Sequence, residues 1–185
     1  LHAVHEAHGI EFRLGRQVVS LQGDGTVRAV RLDDDDLLEA DLVVIGIGVR
    51  PATDWIRGVE LRDDGSLLVG ELLRVREGVF AAGDIATFPD WRTGEPTRIE
   101  HWRTAQQQGM TAGRNLAGEV QPFRAVPFFW TMHFEAVLGY VGHAASWDDE
   151  VVHGDLEERD FINYYPHGGR VLAAAAMGRD NQLNA

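Results

Sequence analysis

Apolar positions in the first quarter of the chain come in short runs broken by glycine and aspartate. Residues 10–14, 17–22 and 27–32 read as strands. Gly23-Asp24-Gly25 between the last two is a hairpin signal. Residues 1–8 read as the tail of a helix, stopped by Gly9 in the C′ position. The four carboxylates Asp33, Asp34, Asp35 and Asp36 read as a solvated turn. A calcium loop would intersperse its ligands and place a glycine at fixed spacing.

The pattern then changes. Residues 41–48 form a continuous β-branched run ending in Gly46-Ile47-Gly48, which suits a parallel strand covered on both faces. Pro51 ends pairing there, residues 52–57 predict a short helix and residues 66–69 a short strand. Val79-Phe80-Ala81-Ala82 predicts a second buried strand, and Gly83-Asp84 follows at its carboxyl end. Open α/β sheets bind ligands at such strand ends, and a glycine there lets a ligand or another backbone approach. A helix is predicted over 100–116, closing at Gly118. From residue 126 onward the chain is rich in short strands separated by turn residues: 127–134, 137–141, 150–153, 160–165 and 170–177. That shift puts a domain boundary within 118–125.

Composition narrows the function. At 185 residues the chain can hold one or two domains with real cores. Its formal net charge of −12 argues against a nucleic-acid partner, which demands basic patches. The sequence holds no cysteine, so it carries no dithiol centre, cysteine nucleophile or thiolate metal site. That also fits a reducing, cytoplasmic compartment. No apolar run approaches the roughly 20 residues of a membrane helix, so no membrane span is expected. The chain starts at Leu1 inside a helical pattern, without a signal-peptide pattern, and is expected to be a fragment of a longer protein. His2, His5 and His8 recur every three residues but nothing orients a third ligand with them, so no metal site is expected.

Three features stand in order: the strand ending Gly46-Ile47-Gly48-Val49-Arg50-Pro51, the strand ending Gly83-Asp84, and a helix opening Ile99-Glu100-His101-Trp102. Two strand ends and a helix N-terminus are the parts of a nucleotide or flavin cleft. This order resembles the C-terminal portion of FAD-dependent pyridine-nucleotide oxidoreductases. Within them it is similar to the ferredoxin-reductase and apoptosis-inducing-factor-like branch. Val79-Phe80-Ala81-Ala82-Gly83-Asp84 resembles that family's second FAD fingerprint. Ile99-Glu100-His101-Trp102 with Ala105, Gln108 and Gly109 resembles the helix that follows it. Val126-Pro127-Phe128-Phe129-Trp130 resembles the start of the C-terminal domain.

The resemblance implies an incomplete α/β fold of the three-layer FAD/NAD-binding type, followed by a small α+β C-terminal domain with an antiparallel sheet. Its domains would be the end of an NAD-binding domain over 1–45, the last part of an FAD-binding domain over 46–122, and a C-terminal reductase domain over 123–185. It implies that Gly83 and Asp84 meet the FAD ribityl chain, with Trp102 at the flavin and Trp130 beside the isoalloxazine ring. Glu100 and His101 would approach flavin and nicotinamide, Gly48 would line the NAD path, and Glu135 is a further nicotinamide candidate. The partial positive charge of the helix N-terminus would favour negative charge on the bound flavin.

The activity implied is transfer of electrons from NAD(P)H through FAD to a ferredoxin or Rieske-type iron-sulfur protein. A homodimer is possible, and no acid-base catalyst is required. Thr131-Met132-His133 stands where many ferredoxin reductases have Ser-Asp-Gln or Ser-Glu-Gln, which leaves the acceptor open. The alternatives are a non-catalytic dimerisation or interaction module, and a disulfide reductase, which the absent cysteine disfavours. The two Gly-x-Gly-x-x-Gly loops of the family do not occur in the chain. The chain by itself is therefore expected to bind FAD poorly and to turn over no NADH.

Overall fold

The computed structural model describes residues 1–183. It divides into two compact units, Leu1–Val49 and the remainder from Arg50.

The first unit opens with α1 (His2–Ala7), which closes at His8 and turns away at Gly9, φ 78°. Residues 10–14 form no strand. Their alternating side chains serve the helix instead: the Phe12 ring meets His2 edge-on at 4.3 Å, and Arg13 pairs with Glu11 at 2.9 Å. Beyond them β1 (Val18–Gly23), β2 (Val27–Leu32) and β3 (Leu37–Glu39) make an antiparallel meander in that order. Gly23 is required at the β1–β2 turn, because a Cβ there would lie 1.9 Å from the Thr26 carbonyl oxygen. Asp33–Asp36 is a turn held by arginines, with Arg16 on Asp34 at 3.0 Å and Arg31 on Asp35 at 3.2 Å.

The buried parallel strand expected over 41–48 is absent: these residues take no strand pairing among the described residues. Leu42 is 80% and Ile47 92% exposed. Strand propensity reports fit to a pleated, covered surface, and here no neighbour strand or helix supplies one.

In the second unit the expected helix over 52–57 is a single turn, closed by Ile56 N–H on the Thr53 carbonyl at 2.9 Å. Six residues after a proline cannot offset helix nucleation. Next come β4 (Leu67–Leu68), β5 (Arg74–Arg76), β6 (Val79–Phe80), β7 (Ala86–Pro89) and β8 (Pro96–Thr97). β4 runs parallel to β7, β7 antiparallel to β8, and β5 with β6 forms a separate hairpin. The strand predicted to end at Gly83-Asp84 is therefore only two residues long and antiparallel. Asp84 sits instead in the turn that leads into β7. Leu67, Val69, Leu73, Ala81, Ala86, Phe88 and Phe123 build the core beneath it, with Phe88 and Phe123 edge to face at 5.3 Å.

The predicted helix starts two residues later than expected, as α2 (Trp102–Leu116), with His101 as its N-cap. Its buried face is polar: Thr104, Gln108 and Asn115. Asn115 Nδ2 donates to the Leu72 carbonyl at 3.0 Å and so ties the end of the helix to the core.

The C-terminal strands are β9 (Phe128–His133), β10 (Ala136–Gly142), β11 (Val151–Asp155), β12 (Asp160–His167) and β13 (Arg170–Met177). They form one antiparallel sheet in the order β11-β12-β13-β10-β9, as expected for the C-terminal domain. One face packs Ile162, Ala174 and Ala176 under Leu183 of α3 (Asp180–Leu183). Two main-chain anchors join this sheet to the β7–β8 loop. Arg92, clamped on Asp90, donates to the Leu172 carbonyl at 2.5 Å and to the His143 carbonyl at 3.3 Å.

Candidate cofactor site

Gly83 has φ 81°, and a Cβ there would meet the Ala105 Cβ of α2 at 3.3 Å. The backbone of the turn is thereby pressed against the first turn of the helix. Its amide is buried and donates to Gln108 Oε1 at 2.7 Å. Asp84 is exposed; its carboxylate takes no hydrogen bond among the described residues, and its carbonyl accepts from Arg98 Nη1 at 3.2 Å. The same nitrogen meets Glu100 Oε1 at 2.5 Å, while Arg98 Nε meets Asp64 Oδ2 at 3.1 Å. Asp64 in turn accepts from the Ser66 amide and hydroxyl, and these bonds, aided by Arg98, hold its carboxyl below the usual range despite the opposing effect of burial.

At the head of α2 the His101 Nδ1 accepts the Arg103 amide at 3.4 Å, a histidine in the capping role that Ser or Asp usually fills. The amides of Trp102 and Thr104 find no acceptor among the described residues. Two or more free N–H groups and the helix dipole favour an anion or an electronegative ring edge here.

Aromatic side chains line the approach. Trp102 and Trp130 meet edge to face at 6.4 Å, His101 lies 5.9 Å from Phe129, and Phe129 stacks on Tyr140 at 5.1 Å. The Arg103 guanidinium covers the rings of Phe128 and Trp130 at 5.0 and 5.8 Å, which fixes the indole from behind. Trp102 stays 62% and Trp130 44% exposed, so flat apolar surface is left open.

The structure thus gathers Gly83, Asp84, Glu100, His101, Trp102 and Trp130 around one turn and one helix end. Gly48 belongs to the other unit, where it has φ 95° and open space at its Cβ position. Glu135 lies at the β9–β10 turn, paired with Arg159 at 3.0 Å. It lies past the end of β9, five residues after Trp130.

Sequence reasoning gave no role to Arg98, and none to Gln108 beyond motif membership. A signal for Gln108 existed. Thr104, Gln108 and Asn115 are spaced by four and seven, a polar stripe on a helix face that must be buried.

Residues 1–109 match the family described as Pyridine nucleotide-disulphide oxidoreductase, and residues 128–185 match Reductase C-terminal. The chain belongs to the pyridine nucleotide-disulphide oxidoreductase family. It is 36% identical over 180 residues to apoptosis-inducing factor 3 of Homo sapiens, covering 95% of this chain and 30% of that protein. It is 31% identical over 185 residues to putidaredoxin reductase of Pseudomonas putida, covering 98% and 44%. Among solved structures, a covalent putidaredoxin reductase-putidaredoxin complex superposes with a TM-score of 0.91 at 30% identity, over 99% of this chain and 45% of that one. A ferredoxin reductase from Rhodopseudomonas palustris gives 0.89 at 28% identity, over 98% and 45%. The chain therefore spans less than half the length of these relatives.

Proposed function

We propose that this chain supplies one wall of the FAD site and the C-terminal domain of an NAD(P)H-dependent flavoprotein reductase. Electrons would pass onward to a ferredoxin or Rieske-type iron-sulfur protein in the cytoplasm. The supporting observation is the convergence of the Gly83-Asp84 turn, the uncapped amides of α2 and the paired rings of Trp102 and Trp130. The domains read as 1–45 from the NAD-binding part, 46–122 from the FAD-binding part and 123–185 as the reductase C-terminal domain.

The residues fit the cofactor. Gly83 has no Cβ between the turn and α2, and the unengaged Asp84 carboxylate can accept hydrogen bonds from polyol hydroxyls. The α2 amides offer donors to the polar edge of a flat ring, and Trp102 and Trp130 exclude water from its apolar side. Glu100 and His101 flank the place where a nicotinamide would approach. Bound FAD supplies the conversion between hydride transfer from a nicotinamide and single-electron transfer to an acceptor. No proton donor of this chain is required for that conversion. The family names thiol chemistry as well, but the chain has no cysteine to take part in it.

The test is NADH- and NADPH-dependent reduction of a ferredoxin by the full-length protein, run beside ferricyanide. Reduction of both supports the reading. A full-length protein that purifies without flavin, or reduces neither acceptor, refutes it.

A further inference from the structure

Arg98 lies on the four-residue link between Thr97 of β8 and Trp102 of α2, at the junction of both halves of the site. Its side chain is one-fifth exposed and makes three polar contacts: the Asp84 carbonyl at 3.2 Å, Glu100 Oε1 at 2.5 Å and Asp64 Oδ2 at 3.1 Å. Asp64 is itself fixed through Ser66, whose hydroxyl shares a 2.7 Å hydrogen bond with Thr87 on β7. A chain of contacts therefore runs from the β7 strand through Asp64 and Arg98 to the Asp84 peptide and the Glu100 carboxylate. Two carboxylates, those of Asp64 and Glu100, crowd this one guanidinium.

We propose that Arg98 is the positioning residue of the flavin site: its forked guanidinium sets the Asp84 peptide and the Glu100 carboxylate in place and offsets the acidic charge that would repel an anionic cofactor. This rests on the flavin reading of the turn. A planar guanidinium can serve a carbonyl and two carboxylates from fixed directions at once, whereas a lysine ammonium is a single point. Geometry and charge are therefore separable by substitution.

In the full-length protein, R98M should weaken FAD binding by about tenfold or more, the loss typical of charge-assisted contacts. It should also shift the flavin midpoint potential to more negative values, because a cation beside the electron-accepting group is gone. R98K keeps the charge and loses the fork; its potential should stay near that of the parent while its FAD affinity falls. D64N, which leaves Arg98 in place but loosens its anchor, should lower affinity less than R98M. A purely structural ion pair would lower the melting temperature of the variants and leave affinity and potential unmoved. That result overturns the proposal, and if R98M does not fold, unchanged affinity and potential in R98K and D64N overturn it equally. A parent protein that is yellow, with variants that match it, refutes the role of Arg98 alone. A colourless parent refutes the flavin reading and this inference with it.

Discussion

The side-chain oxygen of Gln108 accepts the buried amide of Gly83 at 2.7 Å across 25 residues of chain. This single bond holds the turn against the helix. Gln108 is 1% exposed, so its loss leaves a buried donor with no water to replace it. Q108L should lower unfolding stability by about 1–3 kcal/mol, measured by guanidinium denaturation. G83A should also destabilise, since it combines a left-handed φ with a Cβ at 3.3 Å from Ala105. Parental stability in both would show that the turn is held in some other way.

The Asp84 carboxylate faces outward with no partner among the described residues, so removing it should leave the protein folded. In the full-length protein D84A should weaken FAD binding by about ten- to a hundredfold, the cost of losing one or two hydrogen bonds to a charged acceptor. Flavin retention after dialysis, with an unchanged melting curve for the apoprotein, is the measurement. Equal retention would remove Asp84 from the cofactor site.

Asp90 and Arg92 pair at 2.6 Å with side chains only 8% and 11% exposed. Cutting one partner away leaves a buried charge, and D90N should cost about 3–5 kcal/mol. Burial pushes the Asp90 carboxyl up, but its hydrogen bonds to Arg92 outweigh this and the net shift is downward from 3.8. Its contribution is then fully present above that value and is lost as pH falls through the lower, folded one. Acid unfolding followed by tryptophan fluorescence should begin at higher pH in D90N than in the parent.

His143 titrates in a different window. Burial lowers its value below 6.5, Asp90 opposes the shift and Arg92 adds to it. The unfolded chain therefore binds a proton more readily than the folded one, and stability falls as pH drops from about 6.5 toward the folded value. An H143Q variant should show a flatter stability profile between pH 5 and pH 7, on the order of one proton less in linkage. A slope identical to the parent's would place the titration on another residue.

Asn163 shows the opposite case to Gln108. It is buried on β12, and its Oδ1 has no hydrogen-bond partner among the described residues, while its Nδ2 reaches Glu150 at 3.3 Å. Replacing an unsatisfied acceptor by an apolar, β-branched side chain removes a desolvation cost. N163V should fall within about 1 kcal/mol of the parent, or exceed it, by the same denaturation measurement. A loss as large as that of Q108L would mean that the oxygen has a partner in solution.

Local pairing explains what could be read from the sequence. Val27–Leu32 and Arg170–Met177 appear with their predicted bounds because hairpin strands find partners a few residues away. The run over 41–48 misleads for the converse reason: its composition suits a strand between distant neighbours, and no such neighbours flank it. Asp84 was legible as the acid that follows an apolar run and a glycine, but its setting was not, because a two-residue antiparallel strand followed by a turn has the same apolar signature as a buried parallel one. Trp102 and Trp130 could be paired only through family likeness. Their contact joins a helix to a strand, and no periodicity encodes that. Arg98 was invisible since its role depends on three partners drawn from separate segments.

The anchors of Arg92 impose an order on assembly. The guanidinium lies 80 residues before Leu172 and 51 before His143, whose carbonyls complete its coordination. During synthesis the β7–β8 loop emerges long before the strands that finish it, so its buried ion pair waits with open valences until β13 docks. Damage near Leu172 would be felt first as a failure to close the β7–β8 loop, not as a local defect of the sheet.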